Sequence, residues 1–225
     1  MREYSPSNLT GKKILVTAGS TWVPIDDVRV ITNIFGGKLG ICIAEEAVRM
    51  GAEVTLLLGP GRSEKPKASP LLNIVDFKYY EELLELVTNC VGTRKFDVVI
   101  NSAAVSDYTP VDVFKGKIKS TLEEMTINLK KTIKIVDIIK KIDSKILLVK
   151  FKLEVGLSKS KLIDVARDSM NESCADIMVA NDFTRIGLKH NAYIMDTEGY
   201  FKECNTKSEI ASDLMKLIST KINHA

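Results

Sequence analysis

The feature that most restricts the fold is an alternation of apolar runs with helical periodicity. "KKILVTAG" is a buried-strand run that ends in a Gly turn, and "EVTLLLGP" is a second such run. Between them, Lys38 to Met50 places Leu39, Ile43, Ala47 and Met50 near helical spacing, with Gly51 set to stop the helix. "LNIVDF" then reads as a short strand, "YYEELLELVTNCV" as a helix, and "KFDVVINSAAVSDY" begins as another apolar strand. This order predicts an α/β fold: a Rossmann-like, mostly parallel sheet with helices on both faces.

The second half continues the pattern less regularly. "VDVFKGKIKS" reads as a mobile loop, and "EMTINL" alternates like a half-exposed strand. "TIKIVDIIKKI" fits a helix, "SKILLVKFKLE" a central strand, "SKLIDVARDSMNES" a helix from about Ser158, and "DIMVAND" a buried strand. "NAYIMDTEGYFKEC" predicts a hairpin turning at Asp196 to Gly199, a small antiparallel elaboration. A last helix, "TKSEIASDLMKLISTKI", follows, capped by Thr206 or Ser208.

Composition narrows the chemistry. The sequence has 225 residues, 45% of them hydrophobic, and a formal charge of +3, which gives no footprint for duplex nucleic acid. No apolar run approaches the roughly 20 residues of a membrane span, and the N-terminus lacks a hydrophobic signal core, so a cytoplasmic protein is expected. Cys42, Cys90, Cys174 and Cys204 form no CxxC pair, so packed, reduced thiols are expected rather than a zinc or redox site. Of the histidines, His190 precedes a strand and His224 is penultimate, where chains tend to be loose; a triad has little to draw on. One domain over 1–225 is expected, with 1–11 flexible and 109–121 a mobile loop.

Two segments break the regular pattern. A dinucleotide site wants its Gly-rich turn directly between strand and helix. Here the first strand ends at Gly19 and the helix waits until about Gly37, so the GGKLG turn is weak evidence for a dinucleotide. The intervening segment instead carries Asp26, Asp27, Arg29 and Asn33 past the carboxyl end of the strand, where α/β sheets bind ligands, and the helix start offers N–H groups to an anion. In "NSAAVSDYTP", the small residues Ser102, Ala103 and Ala104 let a flat ring approach the backbone, with Asp107 next in line. The lysines Lys115, Lys117 and Lys119 follow; a basic loop beside an acid suits a nucleoside triphosphate with magnesium. Each feature alone also fits a plain turn, cap or solvated face.

Taken in order, "ILVTAGST", "PIDDVRVITN", "GGKLG", "AAVSDYTP", "KIKS", "FKLE" and "DIMVANDF" make the chain resemble the phosphopantothenoylcysteine synthetase (phosphopantothenate–cysteine ligase) family. The resemblance runs from about Lys12 to Ile218 and is expected to be to a stand-alone form, without the flavin-containing decarboxylase domain. It implies a ligase, usually dimeric, that joins 4′-phosphopantothenate to cysteine through an acyl-nucleotide, with CTP (ATP in eukaryotic relatives) and Mg2+ as co-substrate. It also implies roles by matching position. Asn33 would bond the acyl carbonyl, Arg29 would hold the acidic substrate, and Lys117 would close a mobile clamp over the triphosphate. Gly37, Lys38 and Ala104 would line the acid site. Asn101, Ser102, Ala103, Asp107, Ile133, Lys134, Ile135, Val136 and Phe151 would meet the nucleotide.

Departures from the family pattern accompany the match. Val23 replaces a usual Glu, Phe35-Gly36 a Ser-Ser pair, and Ser120 the last clamp Lys. The base-contacting turn reads Thr132-Ile133-Lys134-Ile135 instead of Asn-Pro-Asp-Ile. Ser169 and Ser173 stand where CTP-using relatives carry lysines, with Lys152 and Arg167 as candidate substitutes. Trp22 and Phe35, near the expected acid pocket, suggest a more apolar or differently shaped site. The alternatives are therefore a paralogous ligase for another carboxylic acid, an NAD(P)-dependent reductase, and a non-catalytic nucleotide-binding protein. Against the reductase, the turn after the first strand is wrong for it and no Tyr-x-x-x-Lys acid/base pair appears in the sequence. "EMTINL" and the C-terminal hairpin are the candidate edges for a homodimer.

Overall fold

Strand β1 (Lys13–Ala18) buries both of its faces, Ile14, Val16 and Ala18 on one side and Leu15 on the other, which only a strand covered by two helical layers can do. The computed structural model describes residues 8–61, 63–93, 96–121, 123–186 and 190–223. After β1 come a small hairpin, β2 (Trp22–Pro24) and β3 (Val30–Thr32), then α1 (Lys38–Arg49), β4 (Glu53–Leu58), β5 (Leu72–Asp76), α2 (Tyr80–Gly92) and β6 (Val98–Asn101). The chain continues through β7 (Tyr108–Pro110), β8 (Leu129–Lys131), α3 (Ile135–Ile142), β9 (Leu147–Glu154) and α4 (Lys159–Glu172). It ends with β10 (Ile177–Ile186), β11 (His190–Asp196), β12 (Phe201–Cys204) and α5 (Lys207–Asn223).

An eight-stranded sheet runs in the order β12-β11-β10-β9-β6-β1-β4-β5. From β5 to β10 the neighbours are parallel, and β11 and β12 add an antiparallel edge. Helices α1 and α5 supply residues to the core on one face, and α2, α3 and α4 to the core on the other. The α/β Rossmann-like expectation, with its antiparallel addition, is met.

Local signals explain most boundaries. Gly37 opens α1 with φ +81°, and Gly51, at φ +91°, closes it as expected. The Ser158 hydroxyl accepts the Lys161 N–H at the head of α4, and the Thr206 hydroxyl, not Ser208, accepts the Glu209 N–H at the head of α5.

Several expectations change. "EMTINL" is not a strand: residues 124–128 are irregular, and β8 begins at Leu129, paired with β7. The β2–β3 hairpin inside the long insertion was not anticipated. Residues 1–7 and His224 lie outside the described residues. Within residues 8–11 of the segment expected to be flexible, Asn8, Thr10 and Gly11 are exposed, but Leu9 is fully buried and its N–H donates to the Met50 carbonyl at 2.9 Å.

Candidate active site

The crossover that carries the chain from β1 out to β4 and β5, and back to β6 on the other side of β1, leaves a crevice beyond the carboxyl ends of β1 and β6. Crevices at such reversals of strand order are where open α/β sheets bind ligands. A cleft of about 810 Å³ occupies this place, within the usual size of a small-molecule site. Asn33, Gly37, Lys38, Asn101, Ser102, Ala103, Ala104, Asp107, Ile133, Lys134, Ile135, Val136 and Phe151 all line it.

Its floor is backbone. Gly37 approaches Gly19 so closely that a Cβ at Gly37 would stand 2.6 Å from the Gly19 nitrogen. A Cβ at Gly40 would meet Ser102 Oγ at 2.5 Å and Ala18 Cβ at 2.6 Å. The first turn of α1 lines the cleft with no side-chain cap and no acidic residue, so its N–H groups and positive dipole end remain available to an anion.

Hydroxyls stitch the walls together. Ser102 donates to the Thr17 carbonyl at 2.6 Å, and the Ala103 N–H donates to Thr17 Oγ1 at 3.1 Å. The buried Thr21 and Ser106 hydroxyls bond each other at 3.1 Å, and Thr132 donates to the Ser106 carbonyl at 2.7 Å. Asn33 Nδ2 donates to the Ala104 carbonyl at 3.0 Å, which ties the end of the insertion to the segment after β6. Tyr80 fixes the candidate base-contacting turn by donating to the Ile133 carbonyl at 2.7 Å.

Arg29 and Lys117 are not among the lining residues. Arg29 pairs with Asp26 in the β2–β3 turn and lies 3.4 Å from the Ile118 carbonyl. Asp26 is almost wholly buried and also accepts from the N–H groups of Val28, Arg29 and Ile118. Burial pushes its carboxyl up, but these backbone donors, Ile118 foremost, and the guanidinium outweigh that and hold the pKa at about 2. The loop expected to be mobile is thereby strapped to the hairpin. Phe114 N–H donates to the Ile25 carbonyl at 3.0 Å, and Gly116 N–H to Asp27 Oδ2 at 2.8 Å. Lys117 is an exposed residue in the middle of that strapped loop.

Further residues emerge that sequence reading missed or misplaced. Lys150 lines the cleft and is only 7% exposed; its ammonium donates to the Ser169 carbonyl at 2.8 Å and to Ser173 Oγ at 3.1 Å. Burial pushes its pKa below the ordinary lysine range, with Asp137 opposing the shift. Of the expected substitute cations, Lys152 lines the cleft but pairs with Glu154 at 2.9 Å, and Arg167 is exposed and outside the lining. Phe35 does line the cleft, edge-on to Phe183. Trp22 does not: it packs edge-on against Tyr79 at the start of α2. Val23 is buried in the core beneath α2 to α4. Among the described residues, no group of three or more His, Cys, Asp or Glu side chains is placed to hold a metal ion. No helix among them is long and apolar enough to cross a membrane.

The sequence and fold have clear relatives. The chain is 38% identical over 216 residues to the coenzyme A biosynthesis bifunctional protein CoaBC of Thermococcus kodakarensis, covering 95% of this chain and 52% of that protein. It is 34% identical over 203 residues to the Bacillus subtilis protein of the same name, covering 89% and 48%. The chain thus spans about half the length of these curated relatives. The crystal structure of the DNA/pantothenate metabolism flavoprotein from Streptococcus pneumoniae superposes with a TM-score of 0.86 at 35% identity, covering 94% of this chain and all of that one. At 18% identity and a TM-score of 0.75, a Cab2 mutant crystallised with phosphopantothenate-cysteine shares the fold. Residues 9–222 match the family described as DNA/pantothenate metabolism flavoprotein C-terminal domain, and the chain belongs to that family, the phosphopantothenoylcysteine synthetases.

Proposed function

We propose that this chain is a phosphopantothenate–cysteine ligase that works through an acyl-nucleotide. In the first step a carboxylate oxygen of 4′-phosphopantothenate attacks the α-phosphorus of CTP or ATP, and the bond to pyrophosphate breaks. In the second, the cysteine amine attacks the acyl carbon, the bond to the nucleotide oxygen breaks, and the nucleoside monophosphate and a proton leave. Such chemistry asks the protein for positioning and charge stabilisation rather than for a nucleophile of its own.

The observation that carries this reading is the Asn33–Ala104 hydrogen bond. It brings an amide side chain to the small-residue wall, beside the uncapped start of α1, in one cleft. Asn33 would bond the acyl oxygen as charge builds on it, and the α1 N-terminus with Lys38 would hold phosphate oxygens. Arg29 enters as a positioning residue, since its guanidinium is spent on Asp26 and the loop that presents Lys117. Magnesium would arrive with the triphosphate, neutralising charge on its oxygens. Asp107, the carboxylate among the described lining residues, would be the protein group to meet it. A homodimer is part of the proposal; the exposed Val113, Phe114 and Met125 offer apolar surface for it.

Purified protein given phosphopantothenate, cysteine, magnesium and CTP or ATP should release pyrophosphate and form phosphopantothenoylcysteine. Absence of both with either nucleotide would refute the assignment. A second reading, a ligase for another carboxylic acid, is favoured by Ile34 and Phe35 at the cleft, where the family pattern has small polar residues at the latter site. Nucleotide-dependent pyrophosphate exchange with other acids, and none with phosphopantothenate, would select it.

A further inference from the structure

The cleft reaches both sides of the sheet edge, and β9 shows how. Phe151 packs against the core under α1 and α5, whereas its neighbour Lys150 reaches the far side to meet α4. Lys150 is a charged group in an unusual position. It is almost wholly withdrawn from solvent, and it forms no ion pair with a carboxylate among the described residues. The charged groups acting on it are Asp137, Lys134, Glu172 and Lys152, and the Asp137 carboxylate, with one buried oxygen that has no hydrogen-bond partner, is the foremost of the opposite charges. A buried ammonium with no carboxylate in direct contact is costly, so such groups are normally paired.

Its hydrogen bonds leave capacity. An ammonium has three N–H donors. Lys150 uses one on the Ser169 carbonyl and one on Ser173 Oγ, whose own hydroxyl hydrogen points to the Ser169 carbonyl at 3.0 Å. The remaining donor belongs to a residue that lines the cleft. The rim on this side adds Lys131, Lys134 and Lys152, against the lone acidic Asp107 among the described lining residues. The plain alternative is that Lys150 merely caps the carboxyl end of α4, whose last turn has no basic residue of its own.

We propose that Lys150 is an anion-binding residue of the substrate cleft, donating its third N–H to a phosphate oxygen of the bound substrate and gaining from it a negative charge in direct contact. The proposal rests on the ligase reading for the identity of the phosphate, which is carried either by the nucleotide or by the pantothenate-derived acid.

Calorimetric titration separates these sources without turnover. CTP, ATP, inorganic pyrophosphate, phosphopantothenate and unphosphorylated pantothenate are titrated into wild type, Lys150→Met and Lys150→Gln. Loss of a charge-assisted bond should raise Kd about tenfold or more for one phosphate class in both variants, with pantothenate unchanged. Weakening of the nucleotides and pyrophosphate assigns Lys150 to the triphosphate; weakening of phosphopantothenate alone assigns it to the acid. Equal Kd values across wild type and both variants overturn the proposal, as does failure of both variants to fold, which would make the lysine a structural cap. A wild type that binds none of the phosphates overturns it too. A wild type that binds nucleotide yet never joins phosphopantothenate to cysteine sinks only the ligase reading, and Lys150 is then judged on the nucleotide titrations.

Discussion

Asp26 and Arg29 form an ion pair across one hairpin turn, and the same carboxylate receives the Ile118 N–H from a loop 92 residues further along the chain. That carboxylate is one of several groups, with the Ile25 carbonyl and Asp27, that hold the insertion after β1 to the lysine-bearing loop.

This pair predicts a pH dependence. The Asp26 pKa falls from about 3.9 in an unfolded chain to about 2 in the folded protein. A depressed carboxyl stabilises the fold above its unfolded pKa and loses that contribution as pH drops through its folded value. Wild type should melt above Asp26→Asn at pH 7. The gap should begin to close below about pH 5 and be largely gone near pH 2. A constant gap in thermal melts across this window would contradict the assignment.

Asn33→Ala should separate the two half-reactions. Pyrophosphate formation should persist, while amide formation falls by about 100-fold, the scale of losing one oxyanion donor. Equal loss of both in rapid-quench assays would mean that Asn33 only pins the insertion to Ala104.

Gly37→Ala tests the backbone floor. The new Cβ meets the Gly19 nitrogen at 2.6 Å in a left-handed conformation, so the α1 start must shift. A stability loss of about 1–3 kcal/mol is expected, together with weaker nucleotide binding. Denaturant titration and calorimetry measure the two separately.

Lys117→Ala should lower turnover strongly while stability changes by about 0.5 kcal/mol or less, as for other exposed positions. Unchanged turnover would leave Lys117 as a solvated charge on a tethered loop.

The layered fold was legible because apolar runs and helical stripes state which faces are covered, as in "KKILVTAG" and the Lys38 to Met50 helix. The β2–β3 hairpin was not, because three-residue strands carry no periodicity. Its one readable signal was Asp26, whose carboxylate accepts from Val28 and Arg29 in a local turn. Trp22 and Phe35 looked alike in sequence as aromatics of one insertion, yet the hairpin sends Trp22 to Tyr79 and leaves Phe35 at the cleft. Lys150 was passed over because nothing in "ILLVKFKLE" tells which of its two lysines a central strand would bury. Only the placement of β9 between β6 and β10, with α4 alongside, buries it.

That placement makes β9 intolerant of length changes. Consecutive residues of a strand face opposite ways, so deleting a single residue upstream of Lys150 would swap its ammonium with the Phe151 ring. The two halves of the opening would exchange grease for charge at one stroke. Point changes along 147–154 adjust the chamber by degrees, whereas a frame slip of one position turns it inside out.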